Sequence, residues 1–408
     1  MELMNQPFTG QLGNRLLELL DSQEYQILNI VVAFAKNSGV LRIKDGLEKF
    51  RGRGGKVNIY LGIDLGGTSY EALTSLLLLT DSLNIVHSEK CQTFHPKIYH
   101  LLGRDKGLIV VGSHNLTGGG LWTNFESSVI APLVMSNTDD MQILNRFDEY
   151  INQLNLLNDS LMKISSQDDI DKLLENGYVF KEVAQRVNRA NTVTQNVKQE
   201  SLFGNGTPAK LPYIAKPKKE ETAAISDINS EPFSISIDEK DQTIWFETRK
   251  LTGGSRNILD LSMKSLVERG TVKGTSFELN DPKFMRGGVE FFGLNPTATD
   301  EIKNITINFD GVDYADNTIL FPVGENANGT WRLQIKGVSP DGNRITDTFR
   351  DKGEAHYLVQ KIVTFTKVHD DYYFMSVFPE SELKNFEAAS CVLARNGSTR
   401  SAKQLGLL

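Results

Sequence analysis

The stretch that decides the fold of this 408-residue chain is Phe94–Glu126, which reads FHPKIYHLLGRDKGLIVVGSHNLTGGGLWTNFE. It opens with an alternating apolar run that predicts a strand over Pro96–Leu101, with His95 and Lys97 at its start. Side chains two residues apart in a strand point to the same side of the sheet. An imidazole and an ammonium group are therefore expected to face one place together.

A second strand is predicted over Gly107–Gly112, because GLIVVG has the length and β-branching of a buried strand. Ser113 and Asn115 follow at its end, again two residues apart, and Gly118–Gly120 predict a turn whose backbone approaches a ligand closely. The two strands would bring a nucleophile, a cation, a hydroxyl and an amide to one site. That set of groups suits an anionic phosphate.

These residues resemble the signature of the phospholipase D superfamily. The matching segments are His95-Pro96-Lys97 and Gly112-Ser113-His114-Asn115, and Glu126 stands where the nuclease branch has its downstream acid. In most of the superfamily an aspartate follows the lysine within the motif, whereas Asp105 comes late here and is not assigned that role. Beyond the motif, the chain resembles the NgoFVII-type restriction endonucleases, which join such a nuclease to a B3-like DNA-binding domain.

The resemblance implies a mechanism in which His95 attacks phosphorus and forms a covalent phosphohistidine without a metal ion. Lys97 and Asn115 would hold the phosphoryl oxygens, with Ser113 hydrogen-bonding nearby, and Glu126 would fix the tautomer of the imidazole from its other ring nitrogen. The chemistry agrees, since phosphodiester hydrolysis needs a nucleophile, charge neutralisation and an acid. The signature contains no acidic cluster that would hold two hard cations, so no metal or other cofactor is expected.

The superfamily mechanism uses two histidine motifs, one imidazole as nucleophile and the other as acid. Only one His-x-Lys pattern occurs in this chain. The histidines that lack it are His87, His100, His114, His356 and His369. We therefore expect a homodimer whose active site forms on the two-fold axis between chains.

Composition excludes several classes of protein. The chain is 39% hydrophobic and 23% charged, and it has no apolar run long enough to cross a membrane. The N-terminus lacks the basic and apolar regions of a signal peptide, and Cys91 and Cys391 are too few for a disulfide framework or a structural zinc site. A cytoplasmic location is expected. The net charge of −7 does not indicate nucleic-acid binding, but a local basic face is sufficient for it.

Alternating strands and helices predict an α/β sandwich of the phospholipase D type over residues 1–190. A polar, lysine- and proline-containing linker follows over residues 191–230. Residues 231–385 are predicted to be mainly β, because short apolar runs alternate with Gly, Asn and Asp turns. By resemblance this part is a B3-like pseudobarrel. Residues 386–408 are expected to be a C-terminal tail, either frayed or docking to a partner.

No constellation of nucleophile and base stands out in the second half, which favours a module that recognises double-stranded DNA. Two stretches combine long donors with hydroxyls or amides, the groups that contact phosphates and base edges. Their residues are Arg249, Lys250, Thr252, Ser255, Arg256 and Asn257 in the first stretch, and Arg332, Gln334 and Lys336 in the second. The alternative for the second stretch is a solvated strand face.

Gly62–Thr68 (GIDLGGT) needs a separate interpretation. It resembles the phosphate-binding hairpin of sugar kinases of the actin-like ATPase fold, in which Asp64 would contact ATP. It follows two predicted strands instead of opening the domain, and a helix comes next. Two alternatives remain: a plain glycine-rich turn, or a turn in which Thr68 and Ser69 cap the helix close to the active site.

The sequence thus predicts a restriction endonuclease subunit that hydrolyses DNA without a metal and reads its site with the C-terminal domain. Some relatives cut only together with a helicase-like ATPase subunit. This chain has no GxxxxGK[ST] loop, so ATP would act only through such a partner. Two other functions stay open: a phospholipase D-type lipid phosphodiesterase, and a DNA-binding protein with an idle nuclease fold.

Overall fold

Two large sheets organise the chain in the computed structural model, which describes residues 1–90, 92–194, 242–248, 256–323, 329–353 and 356–408. Each sheet belongs to one of two units. The first unit is built on Met1–Glu182, and the second on residues 242–408 together with the segment that begins at Val183. Most of the predicted linker lies outside the described residues.

The sheet of the first unit has eight strands in the order β1-β7-β6-β5-β2-β3-β4-β8. Strands β2, β3 and β4 are parallel to one another, and the other neighbours are antiparallel. The strands are β1 (Glu2–Gln6), β2 (Tyr25–Val32), β3 (Lys56–Gly62), β4 (Ser82–Val86), β5 (Lys97–Gly103), β6 (Lys106–Gly112), β7 (Glu126–Val134) and β8 (Leu161–Ile164).

Helices cover both faces of this sheet. They are α1 (Leu12–Asp21), α2 (Asn37–Gly52), α3 (Tyr70–Leu79), α4 (Thr138–Asn155) and α5 (Gln167–Glu175). Strand β2 is apolar on both sides because it is buried on both sides. Ile30 and Val32 join the core formed with α1, α2, α3 and α5, whereas Val31 packs with Phe147 of α4 on the other face. The α/β layering predicted for the first half is therefore confirmed.

The second unit contains an eleven-stranded sheet in the order β10-β15-β14-β13-β17-β16-β9-β19-β18-β11-β12. Its strands are β9 (Thr243–Glu247), β10 (Ile258–Leu261), β11 (Lys264–Arg269), β12 (Phe284–Arg286), β13 (Ile302–Phe309), β14 (Val312–Leu320), β15 (Trp331–Gln334), β16 (Lys361–His369), β17 (Tyr372–Pro379), β18 (Val392–Arg395) and β19 (Gln404–Leu407). Its helices are α6 (Glu182–Thr194), α7 (Ile345–Gly353) and α8 (Leu383–Ala389). The mainly-β prediction is confirmed.

The strand order of the second sheet begins at β10 and ends at β12, and no ladder among the described residues closes it into a barrel. All its neighbouring strands are antiparallel except β13 and β17, which are parallel. The B3-like pseudobarrel therefore stays a prediction drawn from the resemblance.

The C-terminal residues 386–408 are not a tail, contrary to the sequence prediction. Strand β19 lies between β18 and β9, and Leu405 is fully buried opposite Ala394 and Phe246. The segment is short and glycine-containing, which weakens its strand signal. Gly406 is required by the packing, because a Cβ there would lie 2.4 Å from Nε1 of Trp245. The expected fraying overlooked this tertiary contact.

His100 of β5 lies between the sheet and α4. It is 1% exposed, its ring centroid is 4.4 Å from that of Phe147, and Nδ1 is 3.2 Å from Nδ2 of Asn29. No described group bonds Nε2. Burial of the imidazole lowers its pKa from 6.5 to about 4.

His100 is expected to make stability depend on pH. As pH falls from 6.5 towards 4, the unfolded chain takes up the proton first, so this side chain removes stability at ~1.4 kcal/mol per pH unit. In urea unfolding at several pH values, the free energy of unfolding of His100→Gln should fall less steeply below pH 6.5 than that of wild type. The exposed His369→Gln is the control. The same pH dependence of the free energy of unfolding in wild type and His100→Gln would contradict this role of His100.

Candidate active site

The five predicted catalytic side chains lie at the same end of three neighbouring strands of the first sheet. His95 precedes β5 and Lys97 begins it, Ser113 and Asn115 follow β6, and Glu126 begins β7. The registers Ile98↔Val111 and Gly112↔Ser128 place the starts of β5 and β7 on either side of the end of β6. Antiparallel pairing therefore brings residues up to 31 positions apart in sequence to the same end of these strands.

Lys97 contacts His95 directly. Its Nζ is 2.9 Å from Nδ1 and 3.0 Å from Nε2 of the imidazole, and it donates to the His95 carbonyl oxygen at 3.0 Å. The lysine is 9% exposed, whereas the imidazole is exposed. Burial lowers the pKa of Lys97, and the negative charge of Glu126 opposes that shift. The ammonium group thus stands beside a histidine that solvent or substrate can reach.

Glu126 is held by neighbours on its own strand end and on the β6 turn. The Ser113 hydroxyl donates to its Oε2, and Asn124 Nδ2 donates to Oε1 at 3.2 Å. The backbone N–H of Ser127 donates to Ser113 Oγ at 3.0 Å. The sequence assigned Glu126 to a ring nitrogen of His95. Within one described chain that bond is not made, and the carboxylate contacts Ser113 and Asn124 instead.

Asn115 has one side-chain atom committed to the fold. Its Oδ1 accepts the backbone N–H of Phe34 at 3.2 Å, just beyond β2. Since a backbone N–H needs an acceptor, this bond sets the orientation of the amide. Among the described residues, Nδ2 has no partner. The Asn115 amide nitrogen is therefore not used by the fold in the part of the chain that the structure describes.

His114, between Ser113 and Asn115, is not part of this set. It is 1% exposed, and neither ring nitrogen has a partner among the described residues. Burial lowers its pKa from 6.5 to about 4, so the imidazole is neutral at pH 7. The backbone carbonyl oxygen of His114 accepts the Tyr99 hydroxyl at 3.2 Å.

Close packing within the protein requires glycine both in the turn after Asn115 and in the helix α2 beside it. A Cβ on Gly120 would lie 2.5 Å from the Asn115 carbonyl oxygen, and one on Gly39 would lie 2.6 Å from Cα of Thr117. The second of these contacts joins the turn to α2, because Gly39 belongs to that helix. The sequence shows where glycine is needed but does not distinguish a ligand from a neighbouring helix.

Phe34 is a site neighbour that the sequence did not predict. Its ring meets the His95 imidazole edge-on, with centroids 5.9 Å apart. No signal separates it in the sequence, since it belongs to the apolar run YQILNIVVAFA.

The candidate DNA-binding residues lie in the second unit, and only some are described. Arg249, Lys250, Thr252 and Ser255 fall outside the described residues. Arg332, Gln334 and Lys336 alternate with the buried Trp331, Leu333 and Ile335, as expected. The Asn257 carbonyl oxygen accepts the Ile335 N–H at 2.9 Å, and Ile258 pairs with Gln334. Arg256 and Asn257 are therefore adjacent to the end of β15.

Among the described residues, no group of three or more His, Cys, Asp or Glu side chains is arranged to hold a metal ion. No described helix combines the length and apolar character needed to cross a membrane.

No family model matches the sequence, and no curated protein matches it. Among solved structures, the chain is similar to Nuc from Salmonella typhimurium, a phospholipase D family member, at 16% identity over 40% of this chain and 97% of that one, with a TM-score of 0.30. It is similar to NucT from Helicobacter pylori at 15% identity over 40% and 98%, with a TM-score of 0.27. It is also similar to phosphatidylserine synthase from Haemophilus influenzae at 13% identity over 47% of both chains, with a TM-score of 0.32. Similarities this low do not establish an activity for this chain.

Replacing Glu126 is expected to lower the pKa of Lys97 further, because the carboxylate charge counteracts the effect of burial. The measurement is an NMR titration of the Lys97 side-chain methylene in wild type and Glu126→Gln. The exposed Glu149→Gln serves as the control and should leave the titration unchanged. A Lys97 pKa that rises or stays constant in Glu126→Gln would show that the two groups do not interact.

Proposed function

We propose that this chain is a restriction endonuclease subunit: the first unit hydrolyses phosphodiester bonds of double-stranded DNA, and the second recognises the site. The observation that carries the proposal is the convergence of His95, Lys97, Ser113 and Asn115 where β5 begins and β6 ends. An accessible imidazole, an ammonium within 3.0 Å of it and an amide donor are the groups that attack and neutralise a phosphodiester.

In the proposed reaction, a ring nitrogen of His95 forms a bond to phosphorus as the bond to the leaving oxygen breaks. A second imidazole gives its proton to that oxygen. Water then attacks the phosphohistidine, releasing His95 and returning a proton to the second imidazole. Lys97 and Asn115 Nδ2 stabilise the charge on the non-bridging oxygens throughout. The protein's own groups supply this charge neutralisation, so the reaction is proposed to need no metal ion.

The second imidazole would come from His95 of a second copy of the chain. His100 and His114, the two histidines that follow His95 in the first unit, are buried, and burial lowers the pKa of each to about 4, so they are poorly placed to donate a proton. An exposed apolar row supports a contact between copies near the site. Leu3, Val129 and Val111 are direct neighbours across β1, β7 and β6 and are 62%, 38% and 47% exposed. An apolar row of this kind is typical of a surface that another protein covers.

The second unit is proposed to recognise DNA through Arg332, Gln334 and Lys336 together with Arg256 and Asn257. The adjacency of the two stretches supports one continuous surface. Lys336 Nζ donates to Gln334 Oε1 at 3.0 Å, which orients both side chains on the same strand face. Long donors held side by side suit phosphate and base-edge contacts. The B3-like architecture and a helicase-like ATPase partner belong to the same proposal.

Plasmid cleavage in excess EDTA tests the chemistry. Wild type should cut, and His95→Ala should lose all cutting while its affinity for cognate DNA stays nearly unchanged, because the proposed reader is in the other unit. A second arm adds lysate from the source cells with ATP and magnesium. Cutting only in that arm would indicate an obligatory ATPase partner.

The competing functions give different results in the same experiment. Specific binding without cutting in any arm would indicate a DNA-binding protein with an idle nuclease fold. Hydrolysis of phospholipid vesicles without DNA cleavage would indicate a lipid phosphodiesterase. Loss of DNA affinity in a folded His95→Ala variant would contradict the assignment of cleavage to the first unit and recognition to the second.

Subunit mixing tests the shared active site. If each site needs His95 from both chains, an exchanged equal mixture of wild type and His95→Ala should retain about one quarter of the wild-type activity, because only wild-type pairs cut. An activity of about one half would indicate independent sites in each chain. A fully active monomer at nanomolar concentration would exclude the dimeric site.

A further inference from the structure

The segment Gly62–Thr68, which resembles a kinase hairpin in sequence, has a different conformation in the structure. Strand β3 ends at Gly62, a short turn follows at Asp64–Gly66, and the chain enters α3 at Tyr70. Ser69 caps that helix by accepting the Ala72 N–H at 3.1 Å. No second strand follows the turn, so the phosphate-binding hairpin of the kinases is not formed and Asp64 is left without its predicted role.

The Asp64 carboxylate contacts two groups on the far side of the turn. Its Oδ2 accepts the backbone N–H of Phe94 at 3.0 Å, and its Oδ1 is 2.8 Å from Nδ1 of His87. The Asp64 side chain is only 11% exposed. Phe94 is the residue immediately before His95, so this bond holds the backbone one residue away from the proposed nucleophile.

The same turn also supports His95 through aromatic and backbone contacts. A Cβ on Gly67 would lie 1.9 Å from Cδ1 of Phe34, so the turn fits closely against that ring. The Phe34 ring in turn meets the His95 imidazole edge-on. A Cβ on Gly62 would lie 2.9 Å from the Phe94 carbonyl oxygen. The turn thus touches both the backbone before His95 and the ring beside it.

The turn reaches this position through an unfavourable backbone conformation. Leu65 has φ of 56° and is 84% exposed, so no burial of its side chain compensates for a left-handed conformation that a leucine rarely adopts. Conformations of this kind persist where the surrounding contacts require them. Here the contacts of Asp64 and Gly67 on either side impose the turn.

We propose that Asp64, braced by His87, is a positioning residue that holds the Phe94–Lys97 segment so that the His95 imidazole faces the scissile phosphate. The inference rests on the proposed function, in which His95 is the nucleophile. Displacement of a reacting group by about 1 Å costs roughly 100-fold in rate, whereas binding by other groups is unaffected. Loss of Asp64 should therefore act on turnover and not on substrate affinity.

The experiment compares Asp64→Ala with Asp64→Asn. The alanine removes both bonds, and we expect kcat to fall about 100-fold with KM unchanged, since DNA contacts elsewhere remain. The asparagine keeps an oxygen for the Phe94 N–H and an amide facing His87, so it should restore most of the rate. Amide hydrogen exchange within Phe94–Lys97, measured at Phe94, His95 and Lys97 because Pro96 has no N–H, should be faster in Asp64→Ala than in wild type or Asp64→Asn.

Asp81 provides a matched control. Its Oδ2 also accepts a backbone N–H, that of Val57 at 3.0 Å, and it pairs with Arg51 and Lys56 at the opposite end of β3. Asp81→Ala should leave kcat and the exchange of Phe94–Lys97 unchanged. Equal effects of Asp64→Ala and Asp81→Ala would show a general loss of stability and overturn the proposal.

The exchange readout separates this inference from the proposed function. If wild type cuts no DNA, the proposed function fails. If a folded Asp64→Ala variant shows unchanged amide exchange in Phe94–Lys97, the positioning role of Asp64 is refuted. Should Asp64→Ala not fold, His87→Leu removes only the brace and leaves the bond to Phe94. It should lower kcat a fewfold and speed exchange, and no change in either would overturn the role of the pair.

Discussion

The bond from the Phe34 N–H to Asn115 Oδ1 joins the central strand of the first unit to the turn that carries half of the candidate site. The Leu116 N–H returns a bond to the Phe34 carbonyl oxygen at 3.0 Å, so the turn is fixed from both sides. Backbone groups this far inside a protein need partners, and here a side chain provides one. Because its oxygen accepts this bond, the amide nitrogen of Asn115 points away from the Phe34 N–H.

A second constraint is electrostatic. Lys97 is largely buried, and an ammonium in that setting is costly unless negative charge lies close by. Glu126 acts on it through space, while Ser113 and Asn124 occupy the carboxylate oxygens. Lys97 makes no ion pair within the described residues, and its bonds go to His95. In the proposed reaction, this leaves the ammonium group available to an anionic substrate, although the whole chain has a net charge of −7.

In the second unit, alternation along β15 places apolar side chains on one face of the strand and polar side chains on the other. Trp331 and Leu333 are fully buried, and the Trp331 indole donates to the Pro296 carbonyl oxygen at 3.0 Å, which fixes the strand against the core. Arg332 and Gln334 occupy the opposite face of the same strand. Long polar side chains therefore alternate with the apolar ones that anchor the strand. The surface proposed to recognise DNA therefore lies on a strand that is anchored in the core of the second unit.

The sequence by itself determined the features that depend on short-range periodicity and spacing. The His-x-Lys spacing predicted that His95 lies beside Lys97, alternation put Trp331 on the core face, and the strand and helix pattern predicted the α/β layers of the first half. Contacts between distant residues required the tertiary structure. It placed Glu126 on Ser113 instead of His95, buried Leu405 in a strand where a tail was expected, and brought Asp64 to the backbone of Phe94. The reason is physical: local pattern decides which side of an element a residue faces, whereas the partner across the fold depends on how those elements pack.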